Sequence, residues 1–264
     1  MGNRKNLNLP INIVISGVTG LMGAEIIKAC KNNSKFKVTG GLSRKSREIL
    51  EIDQEDEIII INPSDPPSRS SKQLQSVDLI IDFSEPSFSI KALNIALTKR
   101  VPILIGTTGH SEDQVKEIEK ASSLIPILLT ANTSIGIALI KKMLSSSKDL
   151  LGIFEYKEIT EIHHKHKKDS PSGTALELSR FLQSLSRKDE VISIESIREG
   201  NSTGEHSIIL GRGGANSSKD GEEYIVVTHK AKNRRIFADG ALLAAEWLRD
   251  QRKGIYSISD FYLP

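Results

Sequence analysis

The 264-residue sequence predicts an α/β protein: a doubly wound parallel sheet, followed by an α+β unit with a mixed sheet. Three observations predict it. Short runs rich in Ile, Val and Leu alternate with helix-patterned stretches through the first half, as strands buried on both faces by crossover helices require. A glycine-rich turn, SGVTGLMG (16–23), joins the first such run to the first helix. After residue 133 the rhythm changes to longer, alternating strands.

INIVI (11–15) reads as the first strand, and AEIIKACKN beyond the turn has helical spacing. FKVTGGL (36–42), EIIII (57–61), VDLIIDF (77–83), VPILI (101–105) and PILLTAN (126–132) read as the next five strands. FSIKALNIALTK and EDQVKEIEKASS are the helices between the later ones. Beyond residue 133, IGIALIKKMLSS is helical and FEYKEITEIHH (154–164) is a longer strand. TALELSRFLQSL is an amphipathic helix with Ala175, Leu178, Leu182 and Leu185 on one face. Strands are expected near 191–197, 206–210 and 224–229, and GRGGANSSKDGEE between the last two reads as a loop. Asp239 stands where it would cap a final helix, GALLAAEWLRD.

Composition narrows the function classes. A net charge of +3 is too small to argue for nucleic acid, and no stretch interleaves Arg with aromatics as a stacking surface would. No apolar run is long enough to span a bilayer, and MGNRKNLNLP lacks the apolar core of a signal peptide. Asn6 occupies the place where a myristoylation signal requires Ser or Thr. The single cysteine, Cys30, excludes an internal disulfide and fits a reducing compartment. A cytoplasmic protein with neither nucleic-acid nor membrane partners is expected.

Three motifs line the C-terminal ends of the expected parallel strands, where such sheets bind ligands. Gly17, Gly20 and Gly23 let the backbone turn tightly, approach a pyrophosphate and hold the helix close, while free N–H groups at the helix start attract the anion. With the alternating β/α units, this makes the sheet Rossmann-like. At the end of the second strand, Ser43, Arg44 and Lys45 replace the acid that would accept from the ribose hydroxyls of NAD, with no acid before Glu48. That arrangement favours the 2′-phosphate of NADPH. GTTG (106–109) is small enough to approach a nicotinamide or its ribose, and Asp82-Phe83-Ser84 and Ala131-Asn132-Thr133 share its rim.

The fourth motif, HHKHKKDSPSGTA (163–175), gathers three histidines and three lysines within six positions, just ahead of a helix start. A metal site, a basic surface and an anion pocket all present themselves. HHxH matches no zinc spacing, no second cluster of Cys or His accompanies it, and neighbouring lysines repel a cation; no metal is expected. Charge runs are usually solvated surface, but this one ends in Ser-Gly-Thr at a helix N-terminus, itself an anion site. Basic groups converging there suit a carboxylated substrate, and a histidine can give it a proton.

HHKHKKDSPSGTA resembles the signature of the 4-hydroxy-tetrahydrodipicolinate reductase (dihydrodipicolinate reductase) family, carried here by Glu161, His163, His164, Lys167, Asp169, Pro171, Ser172, Gly173, Thr174 and Ala175. GVTGLMG, DFS, GTTG, ANTSIG, REGNSTGEH and THKAKNRRIFADGA extend the resemblance over nearly the whole chain. It implies an NAD(P)H-dependent reduction in the diaminopimelate route to lysine. It implies a dinucleotide-binding domain, 1–133 with 237–264, and a substrate-binding domain, 134–236, that assembles a homotetramer through its sheets. His163 would be the proton donor and Lys167 the second catalytic group, with His164, Gly173, Thr174 and Arg234 on a dicarboxylate substrate. Gly17, Val18, Thr19, Gly20, Leu21, Met22, Gly106, Thr107, Thr108, Thr130, Ala131, Asn132 and Thr133 would contact the cofactor. Arg44 would meet the phosphate of NADPH, with NADH possible.

Three rivals stand beside this reading, one of them a metal enzyme, which activity unchanged after exhaustive chelation would remove. A semialdehyde dehydrogenase needs a reactive cysteine, and Cys30 in the first helix is poorly placed to serve. A non-catalytic sensor of NADPH and a dicarboxylate would share both binding features and lack turnover.

Overall fold

The apolar runs of the first half, joined by one short strand near the C-terminus, become an eight-stranded sheet. β1 (Ile11–Ser16), β2 (Phe36–Leu42), β3 (Ile49–Glu51), β4 (Glu57–Ile61), β5 (Leu79–Asp82), β6 (Ile103–Ile105), β7 (Pro126–Leu129) and β12 (Gly254–Tyr256) lie in the order β12-β7-β6-β5-β1-β2-β4-β3. All neighbours run parallel except β3, which closes one edge antiparallel to β4. The computed structural model describes residues 9–44, 49–51, 57–64, 74, 76–186, 191–213 and 222–262. The chain forms two compact units, one reaching to Thr130 and resuming over Phe237–Phe261, the other spanning Ala131–Ile236 with the chain end from Tyr262.

In the first unit, Ile80 and Ile81 are both fully buried, as are Ile103, Leu104 and Ile105. Successive side chains of a strand point to opposite faces, so both faces must be covered. α1 (Leu21–Lys31), α2 (Pro86–Lys99), α3 (Glu112–Ala121) and α7 (Arg235–Arg249) belong to this α/β alternation. On one side Phe88, Ala92, Leu93 and Ala96 of α2 and Ile118 of α3 join Val14, Ile80, Ile103 and Ile127 in a single core. Each of the larger side chains contributes about 1.5–3 kcal/mol by leaving water. Strand order reverses between β1 and β5, the switch point where loops part and a ligand can enter.

The second unit has a mixed four-stranded sheet, ordered β11-β10-β8-β9. β8 (Tyr156–His163) runs parallel to β9 (Ser193–Arg198) and antiparallel to β10 (Gly204–Arg212), which pairs antiparallel with β11 (Glu223–Ala231). One face carries Ile159, Ile208 and Leu210, packed with α4 (Ile135–Ser146) and α6 (Gly173–Leu185). Ala175, Leu178 and Leu182 of α6 supply the apolar stripe that its sequence spacing predicts. The short α5 (Lys148–Leu151) and α8 (Ile258–Tyr262) complete the described elements.

One expected feature is corrected. Asp239 does not cap the last long helix: α7 starts at Arg235, ahead of it, and Asp239 lies inside. Arg235 N–H donates to Asn233 Oδ1 at 3.1 Å, so an earlier side chain turns the chain into the helix. The expected loop at 211–223 is narrower, since β10 continues to Arg212 and β11 begins at Glu223, and its centre, 214–221, lies outside the described residues. β3, β12, α5 and α8 are too short for their sequence periodicity to show.

Candidate active site

The backbone ladder of the first unit runs one residue past each strand, which sets its loops along one rim. Gly17 N–H donates to Leu42 O (3.0 Å), Phe83 N–H to Ser16 O (3.1 Å), Gly106 N–H to Asp82 O (2.8 Å) and Thr130 N–H to Ile105 O (3.0 Å). At the switch point the rim opens into a pocket lined by Gly17, Thr19, Gly20, Ser43, Arg44, Phe83, Ser84, Glu85 and Phe88. Gly17 has φ +78°, and a Cβ there would fall 2.3 Å from Phe83 O, so no other residue fits this turn without strain. A Cβ on Gly23 would meet Gly17 O at 2.5 Å, which explains how α1 starts so close to the turn.

The start of α1 suits an anion. Its N-cap is Gly20, with no side-chain cap, whereas α3, α4 and α6 are capped by Ser111, Ser134 and Ser172. The N–H groups of α1 therefore have no side-chain acceptor and open on a pocket that holds an arginine. These residues fit the pyrophosphate of a dinucleotide.

Other expected cofactor residues fall in different settings. The Val18 side chain is buried against Gly41, so its own contribution would come from backbone, while Leu21 is exposed and Met22 half-buried. Thr107 is buried, its hydroxyl donating to Asp82 Oδ2 at 2.6 Å and accepting from Ser84 N–H at 2.8 Å. Thr107 thus ties the loop after β6 to the loop after β5, and Thr108 is left exposed. Thr130 ends the first unit. Ala131, Asn132 and Thr133 belong to the second, where Asn132 Nδ2 donates to Thr174 Oγ1 at 2.9 Å. Arg44 carries a partner that its sequence neighbourhood hides: Glu85 Oε1 lies 3.1 Å from its Nη1. Lys45 and Glu48 lie outside the described residues.

In the second unit the sheet register gathers polar residues at the end where α6 begins. Glu161 of β8 stands opposite His206 of β10 and Ser196 of β9, and His163 stands opposite Arg198. All project on the face that carries Ile159 and Ile208, two residues farther along. Glu161 is fully buried. Its Oε1 accepts from Ser172 N–H (2.9 Å), Ser196 Oγ–H (2.8 Å) and Arg198 Nη2 (2.8 Å). Its Oε2 lies 3.1 Å from His163 Nδ1 and 3.7 Å from His206 Nε2. Burial alone would raise the Glu161 carboxyl, but the neighbouring His163 and the hydrogen bonds from Ser172 and Arg198 outweigh it and hold the group far below the carboxylate range. Burial, joined by the neighbouring His163, lowers His206 to about 3. The two imidazoles meet edge to face, centroids 5.1 Å apart.

Beyond β8 the chain turns. His164 is half-buried and lowered, first by burial and then by Arg234, His163 and Lys167. Lys167 Nζ is paired with Asp169 at 2.8 Å, and burial of Asp169 is outweighed by that lysine, which holds its carboxyl below the ordinary range. Gly173 and Thr174 open α6, with Ser172 Oγ accepting from Ala175 N–H at 3.1 Å. Lys165, His166 and Lys168 are solvent-exposed. Of the basic run, then, His163 and Lys167 are fastened to carboxylates, while His164 faces Arg234.

Sequence reasoning missed His206 and Arg198, and with them a cluster of histidines that the linear pattern does not contain. Glu161, His163 and His206 are close enough to share a cation. The Arg198 guanidinium on the same carboxylate opposes one, and the geometry is that of an imidazole held by a carboxylate. A glycine-floored, uncapped helix start in one unit and a basic, carboxylate-braced imidazole in the other define a pyridine-nucleotide reductase of an anionic substrate.

Comparison with known proteins narrows the class. Models of the dihydrodipicolinate reductase N-terminus and C-terminus match residues 11–133 and 136–262. The 4-hydroxy-tetrahydrodipicolinate reductase of Buchnera aphidicola subsp. Cinara cedri is 35% identical, covering 94% of this chain and 95% of that one. The enzyme of the same name from Pelagibacter ubique is 33% identical over 95% of this chain and 97% of its own. A dipicolinate-bound dihydrodipicolinate reductase from Paenisporosarcina sp. TG-14 shares the fold, with TM-score 0.71 and 20% identity over 96% of this chain and all of that one. The chain belongs to the dihydrodipicolinate reductase family, NAD(P)H-dependent oxidoreductases of the diaminopimelate route to lysine. Among the described residues, no helix is long and apolar enough to cross a membrane.

Proposed function

We propose that this chain reduces 4-hydroxy-tetrahydrodipicolinate, or its dehydrated form dihydrodipicolinate, to tetrahydrodipicolinate. The observation that carries the reading is His163, an imidazole braced by Glu161 at 3.1 Å and followed by Lys167 in a basic turn ahead of the α6 N-terminus. When bound, the reduced nicotinamide supplies the hydride. His163, with Lys167 as the second group, delivers the proton to the electron-rich product of that transfer. His164, Arg234 and the N–H groups of Gly173 and Thr174 hold the carboxylates, which both orients the ring and steadies the charge that develops. Gly17–Met22 and the loops at 106–108 and 130–133 hold the dinucleotide.

The finer features follow the same reasoning. Arg44 at the pocket rim favours NADPH, with NADH also accepted. Assembly into a homotetramer uses the sheet of the second unit, whose edge strand β11 exposes Tyr224, Ile225 and Val226. The setting is cytoplasmic.

The test separates binding from turnover. His163→Gln and Lys167→Ala are expected to cut turnover by at least about a hundredfold, with NADPH affinity by fluorescence titration unchanged. Near-normal turnover in the double variant would remove the catalytic assignment and leave a dinucleotide and dicarboxylate sensor.

A further inference from the structure

We propose that Glu161 is a positioning residue that fixes the tautomer and orientation of His163, holding the ring by Nδ1 so that Nε2 is the nitrogen that gives up the proton. The inference rests on His163 being the donor and adds what makes it one.

The two carboxylate oxygens of Glu161 are used differently. Three donors fill Oε1: Ser172 N–H, Ser196 Oγ–H and the Arg198 guanidinium, all within 2.9 Å. They arrive from the α6 cap and from β9, so the carboxylate cannot rotate without losing all three. Oε2 is left to face the imidazoles, His163 Nδ1 at 3.1 Å and His206 Nε2 at 3.7 Å. The first is the closer contact, outside the angular range of a hydrogen bond, and neither Oε2 nor Nδ1 has a hydrogen-bond partner among the described residues. A buried carboxylate this close to one ring nitrogen favours keeping the proton of the neutral ring there. The opposite nitrogen, Nε2, faces Gly204, where a Cβ would stand 3.0 Å away, so any larger residue there would crowd it.

The surrounding charges support the same division. Arg198, opposite His163 on β9, already neutralises Oε1. His206 on β10 is lowered by burial to about 3, so it stays uncharged at neutral pH and does not compete as a second cation for Oε2. Lys167, in the turn after β8, is paired with Asp169, and His164 in the same turn faces Arg234. Glu161 is therefore the carboxylate aimed at His163. In the reaction the imidazolium gives its Nε2 proton to substrate and is left as the neutral Nδ1–H ring, and Glu161 neither gains nor loses a proton.

The test reads the ring directly. In long-range 15N NMR of the wild-type protein, with the six histidines resolved and His163 assigned by His163→Gln, the neutral ring is expected as the Nδ1–H tautomer. Finding the Nε2–H tautomer overturns the proposal, whatever the variants do. Glu161→Gln is expected to give a mixture of tautomers and to lower kcat at least tenfold with KM for both substrates within twofold, and Glu161→Asp to recover part of kcat. A Glu161→Gln protein that is folded, keeps the Nδ1–H tautomer and turns over normally also overturns it. If His163 is not the donor, His163→Gln will remain active while the tautomer is still as proposed, so the two failures can be told apart.

Discussion

On the proposed function, the two units meet negatively charged ligands by opposite means. In the first, the central strands are mostly apolar on both faces, so few of their side chains can touch a polar ligand. Binding falls to what lies beyond their ends: a glycine turn, uncapped helix N–H groups and one arginine at the pocket rim. In the second, the sheet face that is apolar at Ile159, Ile208 and Leu210 becomes polar along the same strands at Glu161, His163 and His206. Its chemistry sits on rigid strands, at the end where α6 begins. A parallel sheet lends a ligand its backbone, whereas a mixed sheet can lend side chains held by cross-strand register.

Substitutions can break each side separately. Gly17→Ala should be the most severe in the first unit, because its Cβ would collide with Phe83 O and the turn has φ +78°. A fall in NADPH affinity of about a hundredfold or more is expected, from 1–3 kcal/mol of backbone strain together with the lost approach, measured by fluorescence titration. In the second unit, Arg198→Met leaves the fully buried Glu161 without its cation. A loss of about 3 kcal/mol in unfolding free energy is expected, measured by urea denaturation, with NADPH affinity intact.

Acid sharpens the contrast. His206 titrates at about 3 in the fold against 6.5 when free. Below pH 6.5 the unfolded chain takes a proton that the fold refuses, so stability falls as pH falls, by about 1.4 kcal/mol per unit. From pH 7 to 5, His206 accounts for a loss of about 2 kcal/mol. His206→Gln should flatten that part of the stability-against-pH curve. An unchanged slope would show that the ring is protonated within the fold. The smallest effect is expected for Arg44→Ala, whose exposed side chain at the rim should cost NADPH binding about fivefold and leave NADH unaffected. Equal losses for both cofactors would remove the phosphate assignment.

The fold was legible because its signals are local. Apolar runs, a glycine turn and helix spacing each lie within a few residues, so β2 and β4 fall at the expected 36–42 and 57–61, and α4 covers IGIALIKKMLSS. What escaped depends on pairing between distant strands. Arg198 and His206 lie in strands whose own sequence says nothing of Glu161, and only the β8–β9 and β8–β10 registers bring them to it. Glu85 likewise meets Arg44 through the sheet. The start of α7 was misjudged because Asp239 is a good cap in isolation, while Asn233 supplies the turn earlier.

The most direct measurement is NADPH oxidation in a coupled assay, with pyruvate and aspartate semialdehyde condensed by a purified synthase and NADH run in parallel. Oxidation that appears only when the synthase is present, and disappears in His163→Gln, is the result the account requires. NADPH that binds but is not oxidised would contradict it.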